Sequence, residues 1–203
     1  MICYTTTYNS PLGLIVIESD GEALTGLRFA DVKASTGMME HDETDGEKVE
    51  SNKVASAIPI IATTIRWLND YFSGKQTENA TMYTRTENVT RGKQTENAIM
   101  GVKADARIVV QPGGTMFQQR VWQALLAIPY GEMVSYGEIA RKVGCRSAQA
   151  VGQAVGANPI AILIPCHRVI AANGNLGGYA YGEEIKRRLL ELERQCKHNI
   201  ARR

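Results

Sequence analysis

The chain has 203 residues, 44% hydrophobic and 22% charged, with a formal net charge of +2, enough for one sizeable core or two small ones. No run approaches the roughly 18 apolar residues of a membrane span, and the start, MICYTTTYNS, lacks a basic n-region and a long apolar h-region; a cytoplasmic chain, nuclear if eukaryotic, with no membrane partner is expected. The four cysteines, Cys3, Cys145, Cys166 and Cys196, stand far apart without a CxxC pair, which argues for reduced thiols and against a zinc ribbon or a disulfide framework.

Residues 2 to 29 read as a meander of three strands. The β-branched and aromatic runs ICYTTTY, LGLIVIES and LTGLRF are broken by NSP and SDGEA, which carry turn chemistry. Residues 31 to 53 hold 7 acidic and 3 basic residues and almost no large apolar ones, the composition of a solvated surface loop. A helix is predicted over about 56 to 73, with Pro59 in its first turn and Ile61, Ile65, Leu68 and Phe72 spaced as one stripe that would cover the meander. GKQTENA then occurs at Gly74 and again at Gly92, and TEN recurs at Thr77, Thr86 and Thr95. So few copies of so short a unit make a duplicated linker, not a solenoid. The N-X-T triplets at Asn79 and Asn88 are discounted as glycosylation sites for want of a signal peptide.

From Gly114 the texture becomes helical. MFQQRVWQALLAI puts Phe117, Val121, Trp122, Leu125 and Ile128 on one face, and PYGE stops it. VSYGEIARKVG opens on a serine cap, Ser135, with Glu138 at capping-box spacing, and ends on Gly144. Ser147 caps a second short helix, SAQAVGQAVGAN. Two short helices joined by GCR are a helix-turn-helix candidate or an ordinary helical hairpin. In the second helix Val151 and Val155 face inward, leaving Gln149, Gly152, Gln153 and Gly156 on a nearly bare face. A glycine costs a helix about 1 kcal/mol relative to alanine, so two on one face imply close approach by another backbone. That backbone is either a nucleic-acid groove or a neighbouring helix. Residues 112 to 203 hold 12 Lys/Arg against 6 Asp/Glu, whereas residues 1 to 111 hold 11 against 15. The basic half is the one suited to meet an anion such as nucleic acid, if the asymmetry is more than solvated surface.

In NPIAILIPCHRVIAANG, Cys166 follows a short β-like run, IAILI, and Pro165 keeps Ile164 out of helical geometry, which places the thiol at the rim of the core. A buried free cysteine is otherwise an inert small hydrophobe. His167 stands beside it to lower the thiol pKa or take its proton, but neighbours on a strand point to opposite faces. A relay through water is favoured over direct contact.

IPCHRVI, preceded by ANP and followed by GGYAYG, together with VWQALLAIPYGEMVSYGEIA, closely resembles the O6-methylguanine-DNA methyltransferase family. The likeness is near continuous from Phe117 to Glu193. It is looser over residues 1 to 75, where SPLG, the meander and the helix ending YFSGK look like the family's small N-terminal domain. The resemblance implies an α+β fold: a ribonuclease H-like α/β domain over 1–75, a linker over 76–111, and a mostly helical domain with a helix-turn-helix over 112–203. It implies a monomer that needs no cofactor and no metal and acts on double-stranded DNA containing O6-alkylguanine. The alkylated base is flipped out of the duplex and its alkyl group moves, once per molecule, to Cys166. By the same carry-over His167 and Glu193 form a water-linked relay that keeps the Cys166 thiol as thiolate, and Asn158 braces the turn between recognition helix and active-site loop. Tyr136 packs against the target phosphate and donates to the guanine ring. The carbonyls of Cys166 and Val169 accept from the exocyclic amine, the Ala180 amide donates to the oxygen losing its alkyl group, and Tyr179 and Val155 wall the cavity. Ser135, Arg146, Gln149, Gly152 and Gln153 fall on the DNA-facing helix-turn-helix.

Two departures from the family pattern stand out. Many members carry an arginine, filling the space of the flipped base, where this chain has Gln149; Arg146 lies three residues earlier, and glutamine can still hydrogen-bond the orphaned cytosine. Some relatives hold zinc in the small domain, but only Cys3 and His41 precede residue 112 as ligands of that kind, too few for a closed site. Two other classes are weighed. Related binding modules that recognise alkylated DNA carry tryptophan at the cysteine position, which Cys166 argues against. A cysteine hydrolase would need a distant catalytic histidine, and the others here are His41 and His198.

Overall fold

The computed structural model describes residues 3–30, 58–75, 83–84 and 108–200; of Tyr83, Thr84 and residues 198–200 it describes the backbone alone. The N-terminal runs form strands β1 (Tyr4–Ser10), β2 (Gly13–Ser19) and β3 (Leu24–Phe29) of an antiparallel meander. Its turns follow from local chemistry. The Ser10 hydroxyl donates to the Gly13 carbonyl at 2.6 Å, and Gly13 takes φ +126°, open only to glycine without strain. In SDGEA, Asp20 Oδ1 accepts from the amides of Glu22 and Ala23 at 2.9 and 2.7 Å. Alternation then sends Ile15 and Ile17 of β2, and Leu27 and Phe29 of β3, inward.

Helix α1 (Pro59–Phe72) packs on β2, with Pro59 at the first helical position, where its missing N–H is not needed. Its buried stripe runs through Ile61, Thr64, Leu68 and Tyr71, while Ile65 and Phe72 are only half-buried. The predicted stripe is therefore rotated toward two residues that look polar in sequence. Each carries its own remedy: the Thr64 hydroxyl donates to the Ile60 carbonyl at 2.8 Å, and the Tyr71 hydroxyl reaches Glu193 at 2.9 Å.

Two short strands from within the stretch expected to be linker, β4 (Tyr83–Thr84) and β5 (Val109–Val110), join the sheet in parallel, in the order β1-β2-β3-β5-β4. Ile108 and Val110 are fully buried, so the C-terminal end of that stretch belongs to the core. The acidic stretch 31–53 with His41, nearly all of the repeats and both N-X-T triplets lie outside the described residues.

The second half supplies α2 (Met116–Leu126), α3 (Tyr136–Lys142), α4 (Ala148–Gly156) and α5 (Glu183–Ile200). Val121, Trp122, Leu125 and Ile128 are buried as the periodicity predicts, while Phe117 at the start of the helix is only half-buried; Trp122 Nε1 donates to the Ala154 carbonyl at 2.8 Å, tying α2 to α4. The capping box of Ser135 and Glu138 opens α3, Gly144 at φ +67° follows its end, and the Ser147 hydroxyl caps α4. A further capping box, Thr115 with Gln118, opens α2. Thr115→Ala should lower unfolding stability by about 1 kcal/mol, seen as an earlier denaturant midpoint at unchanged slope.

Buried side chains of both halves form one continuous cluster. At the seam the Leu27 amide of β3 donates to the Pro159 carbonyl at 2.9 Å and the Leu27 carbonyl accepts from Ala161 at 2.7 Å. The part of β3 that β5 leaves unpaired thereby anchors the segment that leads to Cys166.

Candidate active site

From Ile160 to Val169 every residue is buried, so this loop must find partners for its own amides and carbonyls. The expected β-like run over IAILI does not form. Only Ile160 bridges the sheet, at Leu27, and the chain then makes two three-residue turns. The first centres on Ile162 at φ +66°, with the Leu163 amide donating to Ala161 at 2.7 Å, a strained conformation for a β-branched residue. The second centres on Pro165 at φ −80° and ψ 62°, with the Cys166 amide donating to Ile164 at 2.7 Å; proline's fixed φ suits this turn. A five-residue apolar run does not distinguish strand from buried turn by period. Asn158 decides it: Nδ2 donates to the carbonyls of Ile164 at 2.8 Å and Ile160 at 3.2 Å, while Oδ1 accepts from the Ile160 amide at 3.0 Å. One buried amide stands in for the absent strand neighbour and delivers the chain to the one-turn helix Cys166–Arg168.

Cys166 is 5% exposed and its sulfur accepts from Asn158 Nδ2 at 3.0 Å. Burial pushes the thiol above its ordinary range; Asn158, the backbone amide, the Lys186 charge and Tyr179 oppose this without overcoming it. The resting site therefore favours a thiol over the standing thiolate that the resemblance implies. His167 is fully buried, with Nε2 2.8 Å from Glu193 Oε1 and Nδ1 without a hydrogen-bond partner. Burial alone would raise the Glu193 carboxyl, but His167 and Arg168 outweigh it and hold the group ionised below the usual carboxylate range. An ionised carboxylate only accepts, so His167 donates from Nε2 and its lone pair lies on Nδ1. Burial lowers the imidazole pKa against the pull of Glu193, with Arg168 and Lys186 adding to the lowering. The imidazole is thus held neutral by its surroundings, with Nδ1 as its one unpaired accepting nitrogen. In the folded protein, brief iodoacetamide treatment should label exposed Cys3 and half-buried Cys145 ahead of Cys166 and Cys196; mass spectrometry showing Cys166 first would contradict the resting thiol.

Parallel pairing of β6 (Val134–Ser135) with β7 (Val169–Ile170) sets the start of α3 against the Cys166 turn. Tyr136, the first residue of α3, is half-buried, and burial followed by the nearby Cys166 raises its hydroxyl pKa. Its ring faces Gly152 and Gly177. Val155 and Val169 are buried, Tyr179 holds its hydroxyl near the sulfur without the geometry of a hydrogen bond, and Ala180 is exposed beside it. Ser135 caps α3, Arg146 lies exposed in the turn, and Gln149 and Gln153 are exposed on α4. A Cβ at Gly152 would lie 3.8 Å from the Tyr136 ring, an ordinary contact, and at Gly156 nothing lies within 4 Å. No neighbouring helix requires these two glycines, which sets aside the close-packing explanation for the bare face.

Residues 116–195 match the profile described as 6-O-methylguanine DNA methyltransferase, DNA binding domain, and residues 3–81 the one described as 6-O-methylguanine DNA methyltransferase, ribonuclease-like domain. The chain belongs to the O6-methylguanine-DNA methyltransferase family. Methylated-DNA--protein-cysteine methyltransferases of Mycobacterium tuberculosis and Methanosarcina acetivorans are 39% and 43% identical to it over 195 and 194 residues, 96% and 95% of this chain and 93% and 99% of theirs. The crystal structure of Mycobacterium tuberculosis OGT in complex with DNA matches with a TM-score of 0.65 at 36% identity, covering 95% of this chain and 94% of that one. The α+β fold with a ribonuclease-like N-terminal part is thus the O6-methylguanine-DNA methyltransferase fold. Among the described residues no helix is long and apolar enough to cross a membrane, and no group of three His, Cys, Asp or Glu side chains could hold a metal ion.

Three side chains and one backbone amide of this family member gained no role from sequence. Arg168 donates Nε and Nη2 to the two Glu193 oxygens, each at 2.9 Å, and Nη1 to the Ile128 carbonyl at 2.8 Å. Tyr71 and the Gly131 amide bring further donors to Glu193, at 2.9 and 3.0 Å. Lys186, fully buried, donates to the Val169 carbonyl at 2.6 Å and to that of Leu176. A signal was present in α5: positions 186, 189, 193 and 196 form one buried stripe, Lys186, Leu189, Glu193 and Cys196, and two ionisable groups inside it mark a network.

Proposed function

We propose that the protein repairs DNA directly, moving the alkyl group of an O6-alkylguanine in a duplex to Cys166, once per molecule. The observation that supports this reading is a pair of buried hydrogen bonds at adjacent residues: Asn158 holds the Cys166 sulfur at 3.0 Å, and Glu193 holds His167 Nε2 at 2.8 Å, which leaves Nδ1 free to act as the base. The thiol of a residue that is 5% exposed cannot reach into a duplex, so the base must leave the stack. Flipping costs a few kcal/mol, less where alkylation has weakened the pair.

The part from residue 112 onward carries both tasks. The slim face of α4, with Gly152, Gln153 and Gly156, enters the groove, and the exposed Arg141, Lys142 and Arg146 beside it meet phosphates. Gln149 occupies the space of the flipped base, and Tyr136 drives its rotation. Val155 and Tyr179 wall the pocket; the carbonyls of Cys166 and Val169 and the Ala180 amide read the guanine. Lys186 occupies one lone pair of the Val169 carbonyl and so fixes its direction, leaving a second for the base.

As the sulfur attacks the alkyl carbon, its proton passes to His167, the bond from carbon to O6 breaks, and guanine becomes its ordinary lactam by taking up one proton. The sulfur exchanges hydrogen for an alkyl group, and the balance needs no cofactor or metal. A thioether is a poor alkyl donor, so the molecule acts once. It does so as a monomer, in the cytoplasm or, in a eukaryote, the nucleus. The test is a duplex bearing labelled O6-methylguanine: label should plateau at one equivalent, on the peptide containing Cys166. Turnover well above one, or label on another residue, overturns the reading.

A further inference from the structure

We infer that Tyr71, supplied by the N-terminal helix α1, is a positioning residue of the relay, its hydroxyl sharing Glu193 Oε1 with His167 and thereby setting how strongly that carboxylate draws on the imidazole. The inference rests on the alkyl-transfer reading of the same site.

Three donors converge on Glu193 Oε1: His167 Nε2 at 2.8 Å, Arg168 Nη2 at 2.9 Å and the Tyr71 hydroxyl at 2.9 Å. Oε2 takes the other two, Arg168 Nε and the Gly131 amide. Tyr71 thus acts on the oxygen that faces the imidazole. Its direction is set by packing. The ring stacks on Trp67 at 5.2 Å and 16° and meets the edges of Phe72 and Tyr130 at 5.2 and 5.9 Å, with the whole side chain buried. Phenylalanine would fill the same aromatic slot, so filling space does not account for the hydroxyl, which is costly to bury unless bonded.

Each donor to Oε1 draws charge from it. While His167 carries the thiol proton, Glu193 balances the imidazolium, and the Tyr71 hydrogen bond weakens that balance. The base is held weaker than the bare pair would make it, and the Nε2 proton stays on the ring. Tyr71 remains a donor throughout, because burial and the Glu193 charge push its own pKa well up. The other groups facing this network are Arg168 on the Cys166 turn, Lys186 on α5, Cys166 itself, and Tyr130, which Cys196 of α5 adjoins. Tyr71→Phe alters none of them.

Single-turnover label transfer is measured in the full chain and in Tyr71→Phe across acid to mildly alkaline pH. Losing the hydroxyl makes His167 more basic, so the acid limb of the variant moves to higher pH. The ratio of parent to variant rate should be about three- to tenfold larger near pH 5.5 than near pH 8. In a Cys166→Ala background, imidazole 15N titration of His167, assigned with His167→Gln, should show the midpoint rising in the Tyr71→Phe form. Superimposable profiles, a rate loss equal at every pH, or a falling midpoint would each overturn the inference while transfer to Cys166 in the parent stands. If the parent places no label on Cys166, the alkyl-transfer reading fails, and the inference fails with it.

Discussion

Cys166→Ala should accept no alkyl group from an O6-methylguanine duplex at any incubation time, yet bind that duplex to within about threefold of the parent, since phosphate contacts dominate affinity. No other thiol can substitute. Cys3 is exposed on the N-terminal sheet side, Cys145 lies in the turn between α3 and α4, and Cys196 is buried on α5 beyond the relay. The fold should survive, because Asn158 Nδ2 keeps its two carbonyl acceptors when the sulfur is gone, and the small void costs about 1 kcal/mol. Cys166→Ser is the sharper variant: it keeps size and position but replaces the thiol with a far less acidic hydroxyl, and transfer should slow by at least about a thousandfold. In the parent, the rate should hold level through neutral pH and fall only in acid. The sign follows from His167: burial has lowered its pKa, so protonation removes the base below the ordinary histidine range. Label approaching one equivalent on the Cys166→Ala protein would end the case for this nucleophile.

The elements built on local rules were legible in the sequence. Alternating runs between turn residues gave β1 to β3, and Ser135 with Glu138 and Ser147 marked the starts of α3 and α4, since capping is a matter of three or four neighbouring residues. Non-local pairing was not legible. Val109–Val110 gained strand structure from β3 and β4, which no window of a few residues reveals, and IAILI folded into turns because Asn158 and Leu27 took up its backbone groups. At the site the same division holds. Cys166, His167 and Glu193 came from the family likeness, and the thiol's turn was hinted at by Pro165. Tyr71 and Glu193 are 122 positions apart in the chain, and only the tertiary fold brings the α1 hydroxyl to the α5 carboxylate. Lys186 and Arg168 gained no role from sequence, and it is the fold that buries both.

Glu193→Gln should be the most damaging substitution that leaves the nucleophile in place. The carboxylate accepts from His167, from Arg168 twice, from Tyr71 and from the Gly131 amide. A glutamine offers one oxygen to these five donors and turns an amide group toward the others, leaving the buried Arg168 guanidinium without a counter-charge. Breaking such a pair from one side costs about 3–5 kcal/mol, a large share of the stability of an ordinary domain. At this size that is a fall of roughly 6–20 °C in Tm. The acid response should change too. The folded-state pKa of Glu193 is depressed, so its stabilisation is present above the ordinary glutamate pKa of about 4.3 and is lost as pH falls toward the folded value. The parent should therefore lose stability below about pH 5 more steeply than the variant, which has no carboxylate to protonate. Transfer should slow by about a hundredfold or more even where the variant is folded, because His167 must compete with four other donors for one oxygen and loses the charge that supports its imidazolium. Glu193→Asp separates the two effects: it restores the charge but draws it back by one methylene, so Tm should recover in part while the rate stays low. An unchanged melting curve together with parental transfer in Glu193→Gln would show that the buried carboxylate neither holds the halves together nor serves the thiol.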